Sequence, residues 1–171
     1  MAPSATSANA QVFSTYALRV ATPADEEFLY RLYATTREDE MNAAGFAPEQ
    51  REAFLQMQFR AQNTHYEKFY LLSIHQIITL HEQPVGREWI SRTADEILVL
   101  DLVLLPEFCG QGIGSARLRE IFAEGDETGQ PVRLHVLKEN IRAWRFYERL
   151  GFRPIEDDGL HYLLERAPAQ N

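Results

Sequence analysis

The chain has 171 residues, a formal net charge of −8 and a sequence pI of about 5.1. This length suits one domain that buries its core without disulfides or metals. An acidic chain lacks the clustered lysines and arginines that neutralise phosphates, which excludes nucleic acid and anionic membranes as partners. The single cysteine excludes an internal disulfide and a cysteine-based zinc cluster, and the five scattered histidines predict no metal site.

The two ends of the chain differ in composition from the rest. Residues 1–15 are mostly small and polar, rich in alanine and serine, and lack the charged and apolar regions of a signal peptide. No apolar run reaches membrane-spanning length. The sequence therefore predicts a cytoplasmic protein without a membrane partner, with a disordered leader over 1–15, a single domain over 16–166 and a polar tail over 167–171.

The first half of the chain predicts one strand and two helices, followed by a block of strands. Thr22 can cap the first helix, and Pro23 suits its first turn. Apolar residues recur on one face of that helix, as in an amphipathic helix. The predicted elements are a strand at 17–20, a helix from Thr22, a helix at 49–62 after a break near Gly45 and Pro48, strands at 70–80, 85–90 and 97–105, and a hairpin loop at 82–84.

The second half alternates strands and helices after a glycine-rich turn. The predicted elements are a helix at 112–123, a strand at 132–137, a helix at 141–150 that Asn140 caps and Gly151 ends, and a strand at 161–164. The order β-α-α-β-β-β-α-β-α-β predicts one α/β (α+β) domain. We expect a mixed central sheet, mostly antiparallel in its first half and flanked by about four helices.

The glycine-rich turn at 106–115 is the segment that indicates chemistry. It follows a predicted strand and precedes an amphipathic helix, and Gly110, Gly112 and Gly114 alternate within it. Glycines leave successive backbone N–H groups uncovered, and the helix adds its own unpaired N–H groups and positive dipole end. Such a turn forms an anion cradle, and a pyrophosphate suits it.

Two other interpretations of the turn compete with this one. A glycine run alone is equally consistent with a tight connection between strand and helix. A dinucleotide-binding fingerprint fits poorly, because Ser115 or Arg117 stands where the third glycine is needed and no acidic residue ends the next strand.

Two sequence blocks make the interpretation more specific. Residues 106–114 are Pro-Glu-Phe-Cys-Gly-Gln-Gly-Ile-Gly, and the strand at 134–136 is followed by Asn140 and by Ala-x-x-Phe-Tyr-x-x-Leu-Gly-Phe over 143–152. In this order the blocks resemble the GNAT superfamily of N-acetyltransferases, whose acetyl-CoA motif is a strand followed by Arg/Gln-x-x-Gly-x-Gly/Ala. The resemblance covers 97–152 and implies the GNAT-like acyl-CoA N-acyltransferase fold.

The resemblance also implies a set of site residues. Acetyl-CoA would be the co-substrate, with its pyrophosphate on the glycine turn and its pantetheine arm along the strand at 102–104. Tyr147 would be the general acid that assists the leaving thiolate, although an aromatic on that helix stripe is more often plain core, and capping alone would explain Asn140. The implied cofactor-binding residues are Leu102, Val103, Leu104, Cys109, Gly110, Gln111, Gly112, Ile113, Gly114, Ser115, Asn140, Ala143, Phe146 and Tyr147.

Cys109 departs from the family pattern, which has Arg or Gln at this position. A guanidinium there would donate charge-assisted hydrogen bonds worth about 1.5–3 kcal/mol each. We therefore expect the pyrophosphate to rest mainly on the backbone N–H groups of 109–115, with somewhat weaker binding. Arg117 and Arg119 are near enough in sequence to compensate, and the sequence does not fix their direction.

The general base is not assigned by the resemblance. An ammonium acceptor has a pKa near 10.4 and must lose a proton before it attacks. Asp101 is the first candidate base, because it is an acid within an apolar strand that adjoins the acetyl site; it could equally face solvent or cap a helix. The alternatives are Glu96, Glu38, Glu40 and a chain of water molecules.

The acceptor is expected to be a small-molecule or peptide amine. Residues 25–52 hold eight acids against three arginines, a net −5. A solvated helix face usually explains such charge, but acids lining the acceptor groove would favour a cationic amine. The resemblance implies an acetyl-CoA-dependent N-acetyltransferase that works by direct attack in a ternary complex, in a family where homodimers are common. The alternatives are a catalytically weak acyl-CoA-binding or regulatory module and, more remotely, a nucleotide-binding protein.

Overall fold

A computed structural model describes residues 16–169, so the predicted leader and the last two residues of the predicted tail lie outside it. Seven strands and five α-helices form within this range. The strands are β1 (Tyr16–Val20), β2 (Ser73–Leu80), β3 (Gln83–Arg92), β4 (Ile97–Leu104), β5 (Val132–Leu137), β6 (Arg153–Asp157) and β7 (His161–Arg166). The helices are α1 (Glu26–Thr36), α2 (Glu38–Ala44), α3 (Pro48–Phe69), α4 (Ile113–Thr128) and α5 (Ile141–Arg149).

The strands form one sheet in the order β1-β2-β3-β4-β5-β7-β6. All neighbouring strands are antiparallel except β4 and β5, which are parallel and joined by α4. A parallel pair needs such a crossover, because its second strand must start at the same end as the first. The predicted fold class, a mixed sheet that is antiparallel in its first half, is confirmed.

Helices cover both faces of the sheet. On one face, here called the α4 face, Leu118 of α4 packs on Val99 of β4. On the opposite face, the α3 face, Leu55 and Phe59 of α3 pack on Ile77 of β2. Burial of each such side chain contributes about 1.5–3 kcal/mol, so the two apolar layers fix both helices against the sheet.

Several elements differ from their predictions; α4, predicted at 112–123, continues to Thr128, and β3, predicted at 85–90, covers Gln83–Arg92. The helix predicted at 49–62 continues to Phe69, and Leu71 and Leu72, predicted to begin a strand, lie exposed in the turn that follows. The helix extends because Tyr66 packs edge to face on Trp89, a contact that local sequence does not reveal. Helix α2 and strand β6 were not predicted: α2 buries only one side chain, and no residue of β6 is buried, so neither shows an apolar period.

The predicted ends of α5 are confirmed, and the first hairpin differs slightly. The side chain of Asn140 accepts a hydrogen bond from the N–H of Ala143 at 3.0 Å, and Gly151, with φ +96°, follows the last turn. The hairpin between β2 and β3 turns at His81 and Glu82, whose φ angles are positive, while 83–84 already belong to β3.

Candidate active site

Strands β4 and β5 pair only at their first residues. The pairing runs from Ile97 opposite Val132 to Val99 opposite Leu134. Beyond Val99, β4 remains paired with β3 and β5 remains paired with β7. The two strands therefore separate towards their carboxyl ends, and the edge of β4 that faces β5 is left for a partner from outside the sheet.

The predicted pantetheine strand lies along this opening. Leu102 and Leu104 point to the α4 face and pack with its apolar residues, whereas Val103 points to the opposite face. On its other edge, β4 lies close to β3 at Gly86. Only glycine fits there, because a Cβ would lie 2.4 Å from the carbonyl oxygen of Val103. Residues 102–104 thus have one paired edge and one edge that no described strand pairs.

A bulge at Leu100 marks the point where the strands separate. Ile90 lies opposite Val99 and Trp89 opposite Asp101, so two steps along β4 match one along β3. The extra residue turns Asp101 to the α3 face instead of the face where alternation would place it. The hydroxyl of Tyr66 in α3 donates to the carbonyl of Leu100 at 3.1 Å and fixes the bulge.

Asp101 is neither a solvent-facing strand residue nor a helix cap. Its Oδ2 accepts from Nε of Arg87 at 2.7 Å and from Nη2 of the same guanidinium. Its side chain remains 17% exposed, whereas that of Arg87 is 2% exposed. The first candidate base is therefore held at the opening by a buried ion pair.

The glycine turn leaves a row of backbone donors free. No hydrogen bond among the described residues uses the N–H groups of 110–115, whereas the N–H of Cys109 donates to the carbonyl of Pro106 at 3.2 Å. Gly110 and Gly112 have φ of +77° and +88°, a region that favours glycine. Six adjacent N–H groups at the start of α4 are thus open to an anion.

Gly114 lies where the glycine turn, β4 and α5 meet. A Cβ on Gly114 would lie 3.7 Å from Cζ of Phe146 and 3.9 Å from Cδ1 of Leu104, which are ordinary contact distances. Ser115 follows, half-buried in the first turn of α4. The fold therefore brings residues from all three predicted binding segments to one place.

Some predicted residues of the turn are engaged within the protein. Ile113 is buried in the apolar cluster of the α4 face, and the Gln111 side chain donates to the carbonyl of Glu107 at 2.8 Å. The thiol of Cys109 is exposed and lies 3.5 Å from the carbonyl oxygen of Leu105.

Arg117 is not available to replace the missing arginine. Its side chain is buried, with Nε and Nη2 donating to the two carboxylate oxygens of Glu88 and Nη1 to Glu120. Arg119 is exposed on α4. The donors that the turn offers are therefore mainly backbone N–H groups. That they hold a pyrophosphate stays a prediction.

Tyr147 lies on the inward side of α5, half-buried with Ala143 and Phe146. Its ring packs edge to face on Phe152, with 5.6 Å between ring centroids. Burial, together with the negative charge of Asp101, raises the pKa of Tyr147 to about 12. The phenol therefore remains protonated at neutral pH and can donate a hydrogen bond.

The alternative bases lie on other segments of the described structure. Glu96 is paired with Arg133 at 3.0 Å and immediately precedes β4, where β4 and β5 are still paired. Glu38 is exposed on α2. Glu40 forms an ion pair with Arg37, the residue that immediately precedes the same helix. Asp101 is the candidate acid that lies on β4 itself, just beyond the last residue paired with β5.

Three polar residues at the opening were not predicted: Arg87, Gln62 and Tyr66. The adjacent charges of Arg87 and Glu88 inside an apolar strand were the available signal, because buried charges are normally paired. Gln62 and Tyr66 are one turn apart on α3, and the prediction ended that helix too early to place them together.

Within residues 16–169, no three His, Cys, Asp or Glu side chains are grouped so that they could hold a metal ion. The same residues include no helix with the length and apolar character needed to cross a membrane.

Comparison with known proteins identifies the family. The model of the acetyltransferase (GNAT) family matches residues 28–152, most of the chain. The chain therefore belongs to the GNAT acetyltransferase family, and the resemblance noted in its sequence is confirmed. No curated protein sequence matches it significantly.

Solved structures share the fold over nearly the whole chain. A PaiA N-acetyltransferase from Thermoplasma acidophilum, solved with coenzyme A, is 19% identical and has a TM-score of 0.67, with 90% of this chain and 99% of that chain covered. An acetyltransferase from Thermus thermophilus is 21% identical, with a TM-score of 0.66 and coverages of 90% and 97%. Ard1 from Thermoplasma volcanium is 21% identical, with a TM-score of 0.59 and coverages of 91% and 99%.

Proposed function

We propose that the protein transfers an acetyl group from acetyl-CoA to an amine by direct attack in a ternary complex. The observation that carries this proposal is the opening between β4 and β5. Free N–H groups of the glycine turn lie at one end of it, and Asp101 and Tyr147 lie beside its separation point. A structural relative solved with coenzyme A supports the choice of donor.

The residues present fit an acyl-CoA. The N–H groups of 110–115 and the positive end of α4 would hold the pyrophosphate, and the unpaired edge of 102–104 would bond the pantetheine amides. Bound acetyl-CoA supplies an activated thioester carbonyl. The side chains of Phe146 and Leu104 would line the passage between the pyrophosphate site and the pantetheine site.

Asp101 is the proposed partner of the acceptor amine. Its carboxylate would orient the ammonium group, and solvent would receive the proton that the nitrogen must lose before it forms the new C–N bond, because transfer from an ammonium to a carboxylate is uphill. The acids at 25–52 would add a negative field that favours a cationic acceptor; seven of the eight are exposed.

Tyr147 is the proposed donor to the departing sulfur as the C–S bond breaks. Complete proton transfer from a phenol of pKa about 12 to a thiolate whose acid has a pKa of about 8.5 is uphill. Tyr147 therefore acts by hydrogen bonding to the developing negative charge, and solvent protonates the released thiolate.

The test is a binding measurement followed by a turnover measurement. Calorimetry should show acetyl-CoA binding that ATP and NAD do not compete away. Release of coenzyme A should then be detected with at least one member of a panel of alkylamines, amino acids, aminoglycosides and peptides. Absence of binding at millimolar acetyl-CoA would contradict the proposal, and binding without release on any amine would identify a binding module instead.

A further inference from the structure

The guanidinium of Arg87 lies at the centre of a hydrogen-bond network behind Asp101. Besides its two bonds to Asp101, its Nη2 donates to the side-chain oxygen of Gln62 at 2.9 Å, and its Nη1 is 3.4 Å from that of Asn63. Gln62 and Asn63 belong to α3, which packs over this face of the sheet. Every nitrogen of the guanidinium therefore has a partner, and its orientation is fixed from two sides.

The pairing between Arg87 and Asp101 is asymmetric. Nε and Nη2 both donate to Oδ2, and Oδ1 accepts no hydrogen bond from the described residues. The neighbouring residue of β3 provides a comparison, because Glu88 forms a buried pair with Arg117 on the opposite face. That pair is two-pronged, with one nitrogen on each carboxylate oxygen. The pair between Arg87 and Asp101 therefore uses Oδ2 and leaves Oδ1 able to accept a hydrogen bond from another group.

We propose that Arg87 is a positioning residue for acetyl transfer, a role that rests on the proposed function. By binding Oδ2 alone, Arg87 fixes the plane of the Asp101 carboxylate and leaves Oδ1 for the acceptor amine. Gln62 and Asn63 link that orientation to α3, and Tyr66 links the same helix to the bulge that carries Asp101. The helix thus sets both the backbone and the side chain of the acceptor-binding carboxylate.

The first test substitutes Arg87→Ala and Arg87→Lys, using the panel amine that the wild type acetylates fastest. We expect kcat/KM for the amine to fall about 100-fold in Arg87→Ala, because a carboxylate displaced by about 1 Å loses its geometry. Arg87→Lys should recover part of this loss. The acetyl-CoA dissociation constant should stay within about threefold, because Arg87 lies on the face opposite the glycine turn.

The matched control is Arg117→Lys, which weakens the neighbouring buried pair on the other face. It should change kcat/KM for the amine by less than about threefold, while its thermal stability falls as much as that of Arg87→Lys. Gln62→Met gives a variant that keeps Arg87 but removes one of its anchors, with Gln56→Met on the exposed side of the same helix as its control. We expect a higher amine KM, about tenfold, for Gln62→Met alone.

Chemical rescue separates positioning from folding. Guanidinium ion, at a concentration that leaves the wild type folded and active, should restore Arg87→Ala at least about tenfold, whereas the same concentration of neutral urea should not. Rescue is the outcome that supports positioning, because a ligand-sized cation does not refold a chain. If wild type turns over and a folded Arg87→Ala keeps kcat/KM within about threefold, this inference is wrong. If wild type acetylates no amine, the proposed function fails first. If Arg87→Ala does not fold, Arg87→Lys and Gln62→Met decide the question.

Discussion

Tyr147 is held by packing, whereas Asp101 is held by charge. The tyrosine ring lies against Phe152 in an apolar cluster, so its removal costs contacts but leaves no unpaired ion. Removal of the Asp101 carboxylate would strand a buried guanidinium, which costs about 3–5 kcal/mol in comparable pairs. Loss of activity in an Asp101 variant alone would therefore mix instability with catalysis, and Tyr147 is the cleaner residue for a first test.

Tyr147→Phe should lower kcat by about 10²-fold or more without changing the shape of its pH dependence. The pKa of Tyr147 is raised to about 12, mainly by burial, so its hydroxyl stays protonated and can donate at every pH up to about 11. Activity should rise with pH as the amine loses its proton, and no descending limb below pH 11 should come from Tyr147. The measurement is kcat between pH 7 and 10 for both enzymes at saturating acetyl-CoA.

Two results would contradict this view of Tyr147. Full turnover by Tyr147→Phe would remove the residue from the mechanism while leaving the family membership intact. A descending limb near pH 9 to 10 that disappears in Tyr147→Phe would show that the hydroxyl ionises far more easily than its buried position implies.

At the residue scale, the sequence predicted what local geometry determines. Asn140 at a helix start and Gly151 at its end follow from capping rules, and the structure has both. The pairing of Arg87 with Asp101 was not predictable, because it depends on a bulge at Leu100 that turns Asp101 to the other face. A single extra residue in a strand leaves no periodic signal, yet it decides which side chains meet.

At the element scale, the start of α4 combines two glycines that are needed for different reasons. Gly112 has φ +88°, a backbone conformation that residues with a side chain rarely adopt even though an added Cβ would meet no atom within 4 Å. Gly114 has helical backbone, and an added Cβ would make only ordinary contacts with Phe146 and Leu104. The first glycine is therefore required by conformation, whereas the second leaves room for one methyl group.

Substitution of these two glycines by alanine should have opposite effects on stability. Gly112→Ala should cost about 1–2 kcal/mol and weaken acetyl-CoA binding, because the strained turn misplaces the free N–H groups. Gly114→Ala should keep or raise the melting temperature, by up to about 1 kcal/mol of helix propensity, with acetyl-CoA affinity within about threefold. Thermal melts and calorimetry on both variants test this, with the larger Gly114→Leu expected to lose binding. Equal melting temperatures for Gly112→Ala and wild type would refute the conformational argument.

Two apolar strands were predicted close to their observed bounds, whereas the ends of α3 and α4 were predicted five or more residues too early. Strand β5 matches, and β4 differs by a single residue at its end. Helix α2 and strand β6 were not predicted because almost none of their side chains are buried, so their sequences show no apolar period. Contacts with neighbouring elements stabilise them instead. The length of α3 depends likewise on contacts with β3 and β4 through Tyr66.

At the scale of the whole molecule, adjacent residues of β3 join the two helical layers. Arg87 reaches α3 on one face through Gln62 and Asn63, and Glu88 reaches α4 on the other through Arg117. The strand beside the opening is therefore tied to both helices. Its neighbour β4 can separate from β5 without loss of order, because β3 still holds it along its other edge.

The ion pair between Arg19 and Asp25 lies at the β1 edge of the sheet and makes the free energy of unfolding depend on pH. Arg19 of β1 donates to both carboxylate oxygens of Asp25, and the N–H and hydroxyl of Thr22 donate to the same group. The Arg19 guanidinium first, then the Thr22 donors, hold the pKa of Asp25 well below its ordinary value against the opposing effect of burial. Because the folded pKa is depressed, the stabilisation is complete above the unfolded value of about 4 and is lost as the pH falls further.

Asp25→Asn should therefore lower the melting temperature at neutral pH and converge with wild type in acid. Arg19 is 43% exposed, so solvent screens the pair and its net contribution is about 1–2 kcal/mol; at about 2–4 °C per kcal/mol this predicts a drop of about 5 °C at pH 7. The difference should shrink progressively below about pH 4, because the unfolded wild type takes up a proton there while the folded carboxylate stays ionised, so the stabilisation falls with each further pH unit. Melts from pH 7 to pH 2 measure it, with Asp39→Asn, an exposed change on α2, as the control that should track wild type throughout. A difference that stays constant or widens in acid would show that the ion pair between Arg19 and Asp25 does not join β1 to the start of α1 in solution.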